Sequence, residues 1–344
     1  MGILTSVPVD EIHARGSIRD ADVARLRAAY QEAPVVTAEE AATLVGLNAA
    51  CRIKDPAWAE FFVEALCDHV VHQCPPDGYV VIDKLDWLKS CIAPEGHVAS
   101  HIELTLLIHI IETSRWSPPS LAAFALDQIR RAVETGTGPL RAKGNGAPAT
   151  ILESDVALAR RILVAFSGDG ALAVTRTEAD ALFEIERAIA PGHSCPAWSD
   201  FFVRAIGNGM LSGLGRAIGS RRDFICAPAE PLVLQTLRSA GRDAGNTVNE
   251  ILEGAVPLQG GFVWSSCRPQ SPEERALARL ERQRLEIVTR EPIHETDEEW
   301  LITRIATGGR PTENLMALLG FLRREANGLP RGLTEAVAKV MIAA

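Results

Sequence analysis

One phrase is written twice in this chain. Residues 56–66 read PAWAEFFVEAL and residues 196–206 read PAWSDFFVRAI, with Pro, Ala, Trp, Phe, Phe, Val and Ala recurring in register at seven of eleven positions. Such a repeat constrains the fold more than composition does, because it implies one unit built twice. The flanks agree. Asp22-Val23-Ala24 answers to Asp155-Val156-Ala157, Thr37 to Thr175, Glu40 to Glu178 and Leu44 to Leu182. Beyond the phrase the halves diverge and then meet again, LDWLKSCIAPEG (85–96) beside EEWLITRIATGG (298–309), pairing Trp87 with Trp300. The second half therefore carries about 73 additional residues, roughly 219–294.

A domain plan follows. Residues 1–19 are an N-terminal segment and 20–134 a first helical repeat domain. Residues 135–149, TGTGPLRAKGNGAPA, are a linker that is flexible by composition. Residues 150–344 are a second helical repeat domain with the insertion at about 219–294.

Each half holds two modules of one design: a helix, a short Gly- or Asp-containing loop, an apolar residue, then Ser or Thr with Glu three later. Asp169-Gly170 with Val174, Thr175 and Glu178 is the clearest copy. Val98, Ser100 and Glu103 form another, Val36, Thr37 and Glu40 a third, and Gly308-Gly309 with Thr312 a looser fourth. In Ser/Thr-x-x-Glu the hydroxyl caps the N3 amide and the carboxylate reaches back to the cap amide, so each copy starts a helix. Apolar residues at helical spacing follow each cap, such as Leu104, Leu107, Ile108 and Ile111. No period-2 run competes. The expected fold is all-α, two homologous helical domains of two helix–loop–helix modules each.

This plan resembles TerB-like, tellurite-resistance-type helical domains, which repeat DG-x-[IVL]-[ST]-x-x-E segments; Asp169, Gly170, Thr175 and Glu178 fit that pattern best. The resemblance implies a degenerate EF-hand-like architecture in a bacterial protein, and a metal-binding or metal-stress role.

A calcium loop needs oxygen ligands at positions 1, 3 and 5 and a bidentate Glu at 12. After Asp169 come Gly, Ala, Leu, Ala and Val, which supply none at 3 or 5. A helix–turn–helix with an Asx-turn is the simpler reading. Transition metals are weighed at the cluster Cys67, His69, His72, Cys74, Cys91, His97, His101 and His109. At about 100° per residue, Cys67 and Cys74 share one helix face while His69 and His72 lie on the other. Ser100 caps a helix between His97 and His101, and CxxC-type pairs for structural zinc are missing. Small core cysteines are the simpler reading. The candidate metal residues are His69, His101, His109 and Asp169, for a divalent ion; no other cofactor is expected.

No GxGxxG, GxxxxGK[ST], GxSxG or HExxH motif occurs. Asp83, Asp86, Glu103 and Glu112 are acids near the histidines that acid–base chemistry would draw on. An enzyme of unknown class is thus a secondary alternative.

The net charge of −9 argues against nucleic acid as a partner. Seven cysteines without paired spacing fit a reducing compartment. No secretory leader and no membrane-length apolar run are read, and the location expected is the cytoplasm. Gly2 and Ser6 match the short myristoylation pattern, with no second anchoring feature beside it.

The insertion is where the halves differ. Ser271-Pro272-Glu273-Glu274 is a strong helix start, and ERALARLERQRLEIV continues it to about Thr289 with a narrow apolar stripe of Leu277, Leu280, Ile287 and Val288. Such a rod lies on its own domain or on a partner. Before it, GGFVWSSCRPQ (260–270) sets Phe262 and Trp264 in a Gly/Pro-rich stretch. Phe262, Trp264, Arg279 and Arg282 are the candidate protein-binding residues. The function expected is a non-catalytic interaction or regulatory protein with a protein partner; the alternative is the metal-binding role.

Overall fold

The computed structural model describes residues 3–5, 7–141, 146–165, 173–213, 216–217, 221–226, 268–269, 271–289, 298–307, 312–325, 331–332 and 335. The fold is mostly helical. In chain order come α1 (Val9–Arg15), β1 (Ser17–Ile18), α2 (Asp20–Glu32), α3 (Ala38–Ala50), β2 (Ile53–Lys54) and α4 (Pro56–Asp68). A single π-helical turn, His69–Gln73, precedes α5 (Ile82–Ile92), α6 (His101–Thr113), α7 (Pro119–Thr135) and a 3-10 turn, Pro139–Arg141. Then follow α8 (Glu153–Ala165), α9 (Arg176–Ala188), α10 (Pro196–Gly213), β3 (Arg216–Ala217), α11 (Arg221–Cys226), β4 (Arg268–Pro269), α12 (Pro272–Thr289), α13 (Glu298–Thr307) and α14 (Glu313–Glu325). The strands are two-residue clasps: β1 pairs parallel with β2, and β3 antiparallel with β4. Among the described residues no helix is long and apolar enough to cross a membrane.

The expected helix starts are present. Thr37, Ser100 and Thr175 each accept the N3 amide, and Glu40, Glu103 and Glu178 each accept the cap amide in return. Thr312 caps α14 through the Leu315 amide, without a capping glutamate. Asp55 caps α4 with Pro56 at its first position. Trp87 lies in the middle of α5, which begins at Ile82.

Two further bonds recur at these starts. The backbone amide of the apolar residue ahead of the cap is taken by a side-chain amide oxygen: Val36 by Gln73 at 2.7 Å, Val98 by Gln128 at 3.1 Å, Val174 by Asn208 at 2.8 Å. The second oxygen of each capping glutamate reaches far along the chain. Glu40 Oε1 accepts the Leu4 amide at 3.1 Å, Glu103 Oε1 the Asn48 side chain at 3.1 Å, and Glu178 Oε1 the Arg221 guanidinium at 2.6 Å.

The doubled phrase builds two matching aromatic clusters. Trp58 meets Phe61 and Phe62 at 6.1 and 5.7 Å between ring centroids; Trp198 meets Phe201 and Phe202 at 5.7 and 5.9 Å. All six rings are fully buried. At the phrase's acidic position, Glu60 is exposed while Asp200 is partly buried against Arg204 and Arg160. One continuous apolar core runs from Ile3 to Leu322, with α7 packed along α9.

The linker's described residues are tied at both ends. Gly136 closes α7 with φ of 67°, a left-handed value that favours glycine. The Ala149 amide donates to the Val133 carbonyl at 2.6 Å, and the Ala149 carbonyl accepts the Ala190 amide at 2.9 Å. Arg141 forks onto Asp155 at 2.8 and 2.7 Å, both side chains 1% exposed. Composition reads these glycines as flexibility; Gly136 instead serves a cap.

Candidate functional site

Helix α12 starts as the sequence predicts: Ser271 accepts the Glu274 amide at 3.2 Å, and Glu274 accepts the Ser271 amide at 2.8 Å. Among the described residues, its buried apolar residue is Leu285. Leu285, 5% exposed, packs on Trp116 and Tyr79, which belong to the first half. Leu277, Leu280 and Ile287 are 66%, 64% and 78% exposed. With about 100° per residue, these three fall within about 80° of one another, and the nearest of them, Leu277, is about 80° from Leu285. The stripe is therefore directed away from the seat. Arg279 is exposed and Arg282 half-buried, so Arg279 flanks the apolar face and Arg282 the docked one. Phe262 and Trp264 lie outside the described residues.

The histidines separate. His69 opens the π-helical turn and is 5% exposed. His101 and His109 are both exposed on α6, eight residues and about 12 Å apart along its axis. Asp169 lies outside the described residues. Among the described residues, no three His, Cys, Asp or Glu side chains stand close enough to hold one ion. His69, His101 and His109 are therefore not gathered into one centre.

The structure gathers other groups around His69. With the segment helical throughout, Cys74 would sit on the face of Cys67, away from His69. The π-turn changes this. α4 ends at Asp68, the Cys74 amide donates to the His69 carbonyl at 3.1 Å, and Cys74 Sγ lies 3.7 Å from His69 Nε2. Single π-turns are rare and frequent at functional sites. The Trp87 ring packs edge-on to the imidazole at 5.5 Å. Lys84, 8% exposed, donates to the carbonyls of Tyr79 at 2.7 Å and Pro76 at 3.1 Å.

Electrostatics here are set by burial. Burial pushes the His69 pKa below the ordinary histidine value; the Val36 backbone and the Asp68 charge oppose that, and Lys84 adds to it. Burial also lowers Lys84, against the Cys74 and Asp77 charges. At the rim His72 Nδ1 lies 2.8 Å from Asp77 Oδ1. Sequence reasoning missed Cys74 and Lys84 as neighbours of His69. The signal was Pro75-Pro76, which ends the helix directly after Cys74.

One cleft, about 280 Å³, lies between α6, α7 and the 3-10 turn, lined by His97, Gln128, Arg130, Arg131, Thr135 and Leu140. Asp127 pairs with both arginines and Glu134 with Arg130. Its cations are thereby spent on neighbouring acids.

No family model, no curated protein and no solved structure matches the chain.

Proposed function

We propose that this chain is a non-catalytic interaction or regulatory protein on a duplicated helical scaffold, with the outward face of α12 as its partner-binding surface. One observation carries the reading: the apolar stripe of Leu277, Leu280 and Ile287 is exposed, while α12 is seated by a different side, at Leu285. An amphipathic helix with an uncovered apolar face is the form in which helices dock on partner proteins. Duplication is supported by the matched Trp-Phe-Phe clusters and the three alike capping boxes. The buried indoles of Trp58 and Trp198 and the capping carboxylates of Glu103 and Glu178 are held in bonds between elements, which suits a scaffold.

The test is a triple change, Leu277→Glu, Leu280→Glu and Ile287→Glu, in the full chain. The three sites are exposed, so the thermal unfolding midpoint stays within about 2 °C of wild type. Partners crosslinked to the wild-type chain in extracts of its own cells are expected to drop out. An unchanged set of crosslinked partners would sink the proposal. The metal-binding role implied by the TerB-like resemblance is the rival. Stoichiometric metal in protein purified without chelators, lost on changing His69 or Asp169, would favour it instead.

A further inference from the structure

We propose that Cys74 is a reactive thiol that exchanges with small-molecule disulfides, and that His69 and Lys84 position and activate it. The proposal is independent of the α12 surface.

Six free cysteines lie among the described residues: Cys51 and Cys67 buried, Cys74, Cys91 and Cys195 half-buried, Cys226 exposed. Burial raises the pKa at Cys51, Cys91 and Cys195 and takes Cys67 to about 11. A buried neutral thiol is inert, because the thiolate is the nucleophile. Cys74 differs in its company. Its sulfur is within 3.7 Å of the His69 Nε2, on an imidazole 5% exposed. The other ring nitrogen, Nδ1, is buried without a hydrogen bond. A buried imidazole directed at a partly exposed sulfur, with a cation beside it, is the setting in which cysteines become nucleophilic.

The step balances. The Cys74 S–H proton passes to His69 Nε2, and the thiolate attacks one sulfur of a small disulfide. The new Cys74 S–S bond forms as the old S–S bond breaks. The departing thiolate takes the proton back from the imidazolium. The products are a mixed disulfide on Cys74 and one free small thiol; the small disulfide is the oxidant. His69 Nε2 faces the sulfur; the charged groups around this pair are Asp68, which acts on His69, Lys84 from α5, which is coupled to Cys74 and Asp77, and His72, paired with Asp77 at the rim.

The experiment uses the full native chain and a limiting amount of 5,5′-dithiobis(2-nitrobenzoate), with peptide mapping of the cysteine modified first. Oxidised glutathione is the second probe. Cys74 is expected to lead, reacting at about pH 7 at least about tenfold faster than the same residue in the urea-unfolded chain. Cys74→Ser abolishes the fast phase. His69→Gln slows it and moves the rate–pH profile to higher pH, a change that packing alone does not produce. If Cys226 or Cys267 leads instead, or native Cys74 is no faster than unfolded Cys74, the proposal fails. Both outcomes are read on the wild-type chain, so no variant needs to fold.

Discussion

The two halves solve one problem with opposite chemistry. Each buries a tryptophan from the doubled phrase, and each must satisfy its indole N–H. In the first, Trp58 donates to Asn48 Oδ1 at 3.1 Å, and the Asn48 amide donates onward to Glu103. In the second, Trp198 donates to Glu186 Oε2 at 2.7 Å, and Asn314 donates to both Glu186 oxygens at 3.1 and 2.9 Å. Asn48 and Glu186 hold the same place at the end of the capped helix. Amide and carboxylate have traded positions, and the carboxylate stays buried either way: Glu103 is 4% exposed, Glu186 6%. What is kept is a chain of indole, polar side chain and polar side chain; which member bears the charge is free to change. In both arrangements each buried oxygen has a donor, and that satisfaction is the real constraint.

This comparison can be broken by experiment. The largest effects belong to what the halves share. Phe61→Ala and Phe201→Ala each remove a fully buried ring and are expected to cost about 4 kcal/mol, equally, in urea unfolding. A clear inequality would mean that the clusters are not equivalent in energy. Next comes what they do not share. Arg221→Met leaves the Glu178 carboxylate buried without its cation, both side chains being 0% exposed, at a cost of about 3 kcal/mol. The Glu40 counterpart is bound by a backbone amide, so no change of a single side chain in the N-terminal segment reproduces that loss.

The tryptophans give a finer contrast. Trp58→Phe orphans a neutral amide oxygen, whereas Trp198→Phe removes a donor from a carboxylate. The second should cost about 1 kcal/mol more, read as the difference between two unfolding midpoints. The smallest effect is a pH effect. Burial works to raise the Glu40 pKa, but the Thr37 and Leu4 backbone amides outweigh it and hold it below its ordinary 4.5. A depressed carboxylate contributes stability above about pH 4.5 that is lost as pH falls through the folded value. Glu40→Gln should flatten that part of the acid limb of the stability curve, measured by unfolding between pH 3 and 6, roughly the range of carboxylate titration.

Local chemistry was legible and distant pairing was not. Thr37, Ser100, Thr175 and Ser271 announce helix starts because the capping bonds span three residues. The buried positions of Trp58 and Trp198 follow from aromatic spacing behind a helix-starting proline. The partner of each indole does not follow, since Asn48 and Glu186 look like ordinary polar residues near a helix end. Trp87 and Trp300, paired by the second shared segment, are only half-buried, and Trp300 donates to Asp180 at 2.9 Å. The stripe on α12 was legible as a stripe, but its direction was not. Leu285 is the apolar residue of α12 buried against the first half, and periodicity does not say which apolar residue of a helix meets the domain. The meeting of Cys74 and His69 was hidden because an ideal helix was carried through a turn that widens.

The capping glutamates carry a consequence for how the molecule comes apart. A helix end ordinarily frays alone, at little cost to anything else. Here fraying at Thr37, Ser100 or Thr175 also releases a segment 36, 55 or 43 residues away from its glutamate. Local opening is thereby coupled to distant opening. Amide exchange at these three helix starts should be as slow as in the interior of the helices, with the first turns behaving as parts of one cooperative unit.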